Sequence, residues 1–249
     1  LTYPSGKTIH YAPNALGQAT KASEGIINYA SNIKYHPNGE IKQLTYGNGI
    51  VRNVVLDTTG RVDAISDGKM GDYQLHLDAS YDDNDNLSSL VDWVDHSNDI
   101  DNISYDGLNR LKTADGKWGS GSYNYDDAGN ILSRSISGSV INYNYNSANQ
   151  LINIRGAYSY NYAYDARGNV INNGRYSLAF NRANQMSSAK EITYVYDGNN
   201  RRVAQITANG INYSVYSQKG LLLHRRKTSG DKVDSVYVGK QLIANIERR

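Results

Sequence analysis

The chain has 249 residues, no cysteine, 23 glycines, 3 prolines and a formal net charge of +2. The missing cysteines exclude disulfides and thiolate chemistry. The interspersed charge gives no reason to expect a nucleic acid or an anionic membrane as partner, and no apolar run approaches the roughly 18 residues of a membrane-spanning helix.

In chain order, residues 1–30 are the least regular, with turn signals at Pro4-Ser5-Gly6 and around Pro13 and Gly17. A pattern then emerges. Tyr35 precedes a turn at Asn38-Gly39, and Asn48-Gly49 predicts a two-residue type I′ hairpin. The next unit carries Leu56 and Asp57 where later ones carry Tyr and Asp. From there the pattern recurs on Tyr81, Tyr105, Tyr125, Tyr145, Tyr164, Phe180, Tyr196, Tyr216 and Tyr237, at intervals of 16 to 24 residues.

Residues 31–249 therefore read as about ten repeats of roughly 16 to 25 residues in a single array, which needs neighbouring units to bury what one unit cannot. Each unit holds two alternating runs and turn chemistry, so each predicts an antiparallel hairpin. Aromatic usage agrees, Tyr 22 against Phe 1 and Trp 2, because Tyr suits a sheet face that is apolar in body and wet at one edge. Tyr158, Tyr160, Tyr162 and Tyr164 are expected on one face of one strand. Asp126, Gly129, Asp165, Gly168, Asp197 and Gly198 are the expected turn residues. Because Leu56 and Phe180 replace the anchor Tyr, its hydroxyl reads as dispensable.

The units resemble the YD repeat of the Rhs proteins. Tyr123-Asn124-Tyr125-Asp126-Asp127-Ala128-Gly129-Asn130-Ile131 and Tyr162-Ala163-Tyr164-Asp165-Ala166-Arg167-Gly168-Asn169-Val170 follow its core almost position by position. Tyr105-Asp106-Gly107-Leu108-Asn109-Arg110-Leu111 is a third copy, with Asn109 in the glycine position. Relatives of that kind are bacterial Rhs polymorphic toxins, the C component of insecticidal Tc toxins, and the teneurins. The resemblance implies an all-β fold, in which tandem hairpins build a long, spiralling sheet that forms part of a hollow shell. It implies a secreted or cell-surface bacterial protein whose partners are the rest of the shell and the toxin domain inside it. The chain is shorter than a closed shell needs, and no self-cleaving protease core follows the repeats, so it reads as a piece giving an open, curved sheet. No protease or toxin residue carries over.

Chemistry in the residues themselves is sparse. Asp82, Asn84 and Asn86 have calcium-loop spacing, but Leu87 and Trp93 stand where an EF-hand needs Gly and Glu. The 5 histidines lack metal spacing, and Gly119-Ser120-Gly121-Ser122 lacks a dinucleotide loop's third glycine. Asp95-His96-Ser97 has triad letters, but neighbours in a strand point to opposite faces. The basic text at Arg201-Arg202, His224 to Lys227, and Arg248-Arg249 reads as charge on a solvated strand edge. The expectation is a scaffold with no catalytic, metal or cofactor site. The alternative is a cell-surface adhesion or glycan-binding module that uses the tyrosine faces.

Overall fold

A computed structural model describes residues 1–69 and 71–248; the side chain of Arg248 and the whole of Arg249, part of the basic terminal pair, lie outside what is described. Apart from one 3-10 turn, His96–Asn98, the regular elements among the described residues are all strands, which fall into four sheets of seven, seven, two and eight strands, each built from strands consecutive in the chain and paired antiparallel. The fold is all-β and built of tandem hairpins.

Alternation drives it. In the strand Ser139–Tyr145, Ile141 is buried and Tyr143 and Tyr145 are half-buried, while Asn142 and Asn144 are exposed. Two kinds of link reverse the chain. After Tyr125, the Asp126 amide donates to Asn130 O (3.0 Å) and the Gly129 amide to Asp126 O (3.1 Å), with Gly129 at φ 89°. The register shifts beside Tyr125, so the loop ends in a bulge. At the other end of the next strand, Ile136 pairs with Ser139 across a two-residue loop, Ser137 and Gly138, both at positive φ as a type I′ turn requires.

Asn48-Gly49 uses the longer link instead of the expected type I′ turn. Tyr46 N donates to Ile50 O (2.8 Å), Gly49 N donates to Tyr46 O (2.9 Å), and of the two residues only Gly49 has positive φ. Its Asn48 carboxamide accepts from Ile50 N, which stabilises the loop locally.

The described chain divides into two compact units, Leu1–Asn53 with Ala179–Arg249, and Val54–Leu178. In the first, Tyr3, Ile9, Ala22, Ala30, Ile33, Leu44, Val236 and Val238 form a buried cluster, so the irregular N-terminal segment contributes to the core. Tyr3 Oη donates to Ser235 O (2.9 Å) within it. In the second unit the buried aliphatic side chains among the described residues are Ala114, Ile141 and Ile154. Stability there rests largely on pairing between hairpins.

Three expectations are corrected. Tyr158 lies outside any strand, 54% exposed, and the run breaks at Tyr162, between the strands Tyr160–Asn161 and Ala163–Tyr164, although Tyr160, Tyr162 and Tyr164 do keep one alternation. Asp95-His96-Ser97 lies at the start of the 3-10 turn, where Asp95 caps the Ser97 amide and His96 Nδ1 bonds Asp99 Oδ2 (3.0 Å). The basic strand Leu222–Lys227 is no edge: it pairs on both sides, and His224 is buried against Asp234 (2.7 Å), with Arg225, Arg226 and Lys227 exposed.

Candidate functional site: the linked turns

The repeated Tyr-Asp turn is the chemically most organised feature of the chain. Its Asp holds the loop closed. Asp126 Oδ1 accepts from Asn130 N (2.8 Å) and Oδ2 from Asn130 Nδ2 (2.8 Å). Asp165 accepts from Arg167 N, Asn169 N and Asn169 Nδ2, each at 2.9 Å. Asp197 accepts from Asn199 N and Arg201 N, both at 2.9 Å. In other units Asn146 and Asn181 do the same. The Asn130 side chain donating to Asp126 holds that carboxyl below the usual carboxylate range, and Asn169 does so for Asp165.

Asp82 belongs to the same class of turn. Its carboxylate accepts from Asn84 N, Asn86 N and Asn86 Nδ2, so the calcium-like spacing is occupied by loop closure.

The turn needs a positive φ at the fourth residue after the anchor. Gly129 and Gly168 sit there at φ 89° and 85°, and Asn109, Asn149, Asn184 and Asn200 fill it elsewhere at 57° to 64°. Gly198 lies earlier in its turn without positive φ, so the special conformation belongs to Asn200 instead. Tyr237 departs further. Val238 pairs directly with Gln241 across Gly239 and Lys240, a two-residue link.

The anchor hydroxyl is used, contrary to the expectation that it is dispensable. Tyr105 Oη donates to Leu87 O (2.9 Å), Tyr125 Oη to Leu111 O (2.8 Å), Tyr145 Oη to Ile131 O (3.0 Å) and Tyr164 Oη to Leu151 O (2.9 Å). Tyr35, Tyr81, Tyr196 and Tyr216 bond Ala19 O, Val62 O, Met186 O and Arg202 O in the same manner. From Tyr81 onward each acceptor is the residue just after the previous unit's turn. Burial raises the phenol pKa of Tyr125, Tyr145 and Tyr164, which keeps these donors protonated.

Sequence reasoning missed a second set of links. In several turns the closing residue also reaches the next turn: Arg61 to Asp85, Asn86 to Asn109 (3.1 Å), Arg110 to Asp126 O (2.8 Å), and Gln185 to Asn200 (2.8 Å). Arg110 and Arg61 also lie over the rings of Tyr125 and Tyr81, at 4.6 and 4.4 Å. An Arg, Asn or Gln five residues after most anchors, from Arg61 to Arg201, was the available signal. Residues 14–18 hold a hidden turn of the same build, with Asn14 accepting from Leu16 N and Gln18 N, both at 3.0 Å. Pro13 in the anchor position conceals it. The arrangement cross-links successive hairpins; it brings together no nucleophile and base.

The basic residues do meet at a surface cleft. Arg202, Arg225, Arg226, Lys227 and Lys232 border a volume of about 620 Å³, together with Asp231 and Glu247.

Comparison with known proteins gives one family and one fold. The family model described as "Teneurin YD-shell" matches residues 71–219. No curated protein matches the sequence. Among solved structures, the chain is similar to the crystal structure of TcdB2-TccC3-TEV, with a TM-score of 0.64 and 12% identity over 92% of this chain and 15% of that one. It is also similar to the Photorhabdus luminescens Tc holotoxin pore carrying a TccC3 mutation, with a TM-score of 0.63 and 16% identity over 95% of this chain and 14% of that one. The chain thus spans about one seventh of the length of the structures it matches.

Proposed function

This chain belongs to the teneurin YD-shell family, and we propose from that premise that it serves, without catalysis, as a wall segment of a shell enclosing a toxic C-terminal domain in an exported bacterial toxin. The observation that carries the reading is the doubled link between successive turns, tyrosine hydroxyl to backbone carbonyl and turn-closing side chain to next turn. Such links resist separation of neighbouring hairpins, which a wall requires and a mobile ligand-gripping loop does not. The likeness in fold to the Tc toxin structures supports the toxin branch of the reading. Its partners are then the remaining repeats and the enclosed domain.

Limited proteolysis tests this. In the full parent polypeptide the C-terminal domain survives protease until the repeats unfold, whereas the same domain expressed alone is cleaved at once. Equal cleavage rates for the two overturn the enclosure.

A further inference from the structure

We propose that the face carrying Tyr73, His76, Trp93 and His96 docks an arginine-bearing basic segment of a partner protein, with the rings stacking on guanidinium groups and Asp78 and Asp95 as counter-charges. The rings run in continuous contact. Tyr73 lies 4.9 Å from His76 between centroids, His76 6.3 Å from Trp93, and Trp93 5.5 Å from His96. Alternation along the strand Asp72–Tyr81 puts His76 and Asp78 on the side opposite the anchor Tyr81, and Trp93 N donates to His76 O (2.8 Å) from the neighbouring strand's end. This surface is therefore separate from the tyrosine faces of the repeat.

The rings are held in place before anything binds. Trp93 Nε1 donates to Asp78 Oδ2 (2.7 Å), and His96 Nδ1 bonds Asp99 Oδ2 (3.0 Å). Asp92 accepts from Val94 N and Asn98 Nδ2, both at 3.0 Å, and Asp99 Oδ1 accepts from Asp92 N (2.7 Å), which fixes the loop that presents Trp93 and His96. Trp93 is nevertheless 55% exposed. An oriented indole left in water loses little entropy when a partner covers it.

What these rings lack identifies the occupant. Elsewhere the chain's own arginines cover its tyrosines: Arg61 lies over Tyr81 at 4.4 Å, Arg110 over Tyr125 at 4.6 Å, Arg175 over Tyr160 at 4.7 Å and Arg202 over Tyr194 at 5.1 Å. Among the described residues no Lys or Arg does this for Tyr73 or Trp93, and residues 71–109 hold ten aspartates and no Lys or Arg. Charge there has one sign although the whole chain is near neutral. Asp78 and Asp95 keep 44% and 53% of their side chains exposed, and Lys117 approaches Asp95 only to 3.9 Å. A guanidinium meets both demands, since it stacks flat on an aromatic ring and binds a carboxylate through its fork; an ammonium has neither the plane nor the fork. The inference stands independently of the wall function.

Tryptophan emission tests it, in the whole chain carrying Trp118→Phe so that Trp93 alone reports. A peptide of alternating arginine and serine should shift the emission saturably at low salt, bind several-fold more tightly than its lysine analogue, and lose affinity as salt rises. The citrulline analogue, which keeps the shape without the charge, should not bind. Asp78→Asn retains an acceptor for the indole N–H and removes the charge, so it should leave the emission of the free chain unchanged and weaken binding. Trp93→Leu, followed by calorimetry, should weaken binding about 2- to 30-fold, the range of a cation–π contact. Should the Leu variant not fold, Asp78→Asn carries the test. Equal binding of the arginine and citrulline peptides, no binding at millimolar concentration, binding untouched by both variants, or sedimentation showing that a second copy of the chain occupies this face would each overturn the proposal.

Discussion

The Tyr125 hydroxyl donates a 2.8 Å hydrogen bond to the carbonyl of Leu111, the first residue of the strand that follows the preceding turn. One side chain thus packs its ring between two units and ties their backbones together. Tyr125→Phe keeps the ring and removes the tie, which should cost about 0.5–1.5 kcal/mol, the usual net value of such a bond. Tyr125→Ala removes both and should cost about 2–4 kcal/mol, at the low end for aromatic truncation because the site is half-buried. Urea unfolding monitored by circular dichroism measures both. A Phe variant indistinguishable from the parent would show the hydroxyl to be idle.

Asp126 acts through the geometry of its acceptor oxygens, and Asn146 and Asn181 show that an amide does the same work. Asp126→Asn should therefore keep the loop closed and lower the melting temperature only slightly, by the charge-assisted part of these bonds that acid also removes. Asp126→Ala orphans the Asn130 amide and should lower the melting temperature by about 2–4 °C, the scale of one lost loop contact in a chain of this size. Equal melting of the two variants would refute the capping role.

Acid should loosen the same turns. The carboxyls of Asp82, Asp126 and Asp165 titrate below their ordinary value, chiefly because the side chains of Asn86, Asn130 and Asn169 donate to them. A depressed folded pKa contributes stability that is fully present above the ordinary carboxylate value, about 3.9, and is lost as pH falls through the lower folded value. Melting temperature should thus fall steeply below about pH 4. The double variant Asp126→Asn with Asp165→Asn should show a shallower fall, and an identical acid slope would remove these groups from the account.

Two glycines that look alike in sequence should respond oppositely. Gly129 is held at φ 89°, so Gly129→Ala forces a left-handed alanine at a cost of about 1–2 kcal/mol. Gly198 lacks positive φ and an added Cβ meets nothing within 4 Å, so Gly198→Ala should be neutral or stabilise by about 0.4–1 kcal/mol through the unfolded chain. Equal losses at both positions would contradict the assignment of the left-handed place to Asn200.

The hairpin array was legible because its signals are local. Alternation puts Tyr143 and Tyr145 on one face, and an Asp followed three residues later by Gly specifies a loop that closes on itself. What was hidden depends on partners elsewhere. The Asn14 turn lacks an aromatic anchor, and Tyr237 has one yet is followed by a two-residue link. The Arg110 bond to Asp126 O spans 16 residues, and only the pairing of hairpins brings its ends together.

His224 and Asp234 lie opposite one another on paired strands, 2.7 Å apart, with side chains 7% and 2% exposed, and Ser5 Oγ also donates to the carboxylate. The pair sits under the core that includes Val236, so water cannot replace either partner. His224→Ala leaves the carboxylate enclosed with Ser5 alone and should cost about 3–5 kcal/mol, the penalty of an uncompensated buried charge. Changing both residues to Leu removes the polar groups together and should cost far less than the two single changes summed, since apolar replacement of a buried pair is often close to neutral. A double-mutant cycle in urea measures the difference. Additive losses would mean that the two side chains contribute separately and that burial of the pair imposes no mutual dependence.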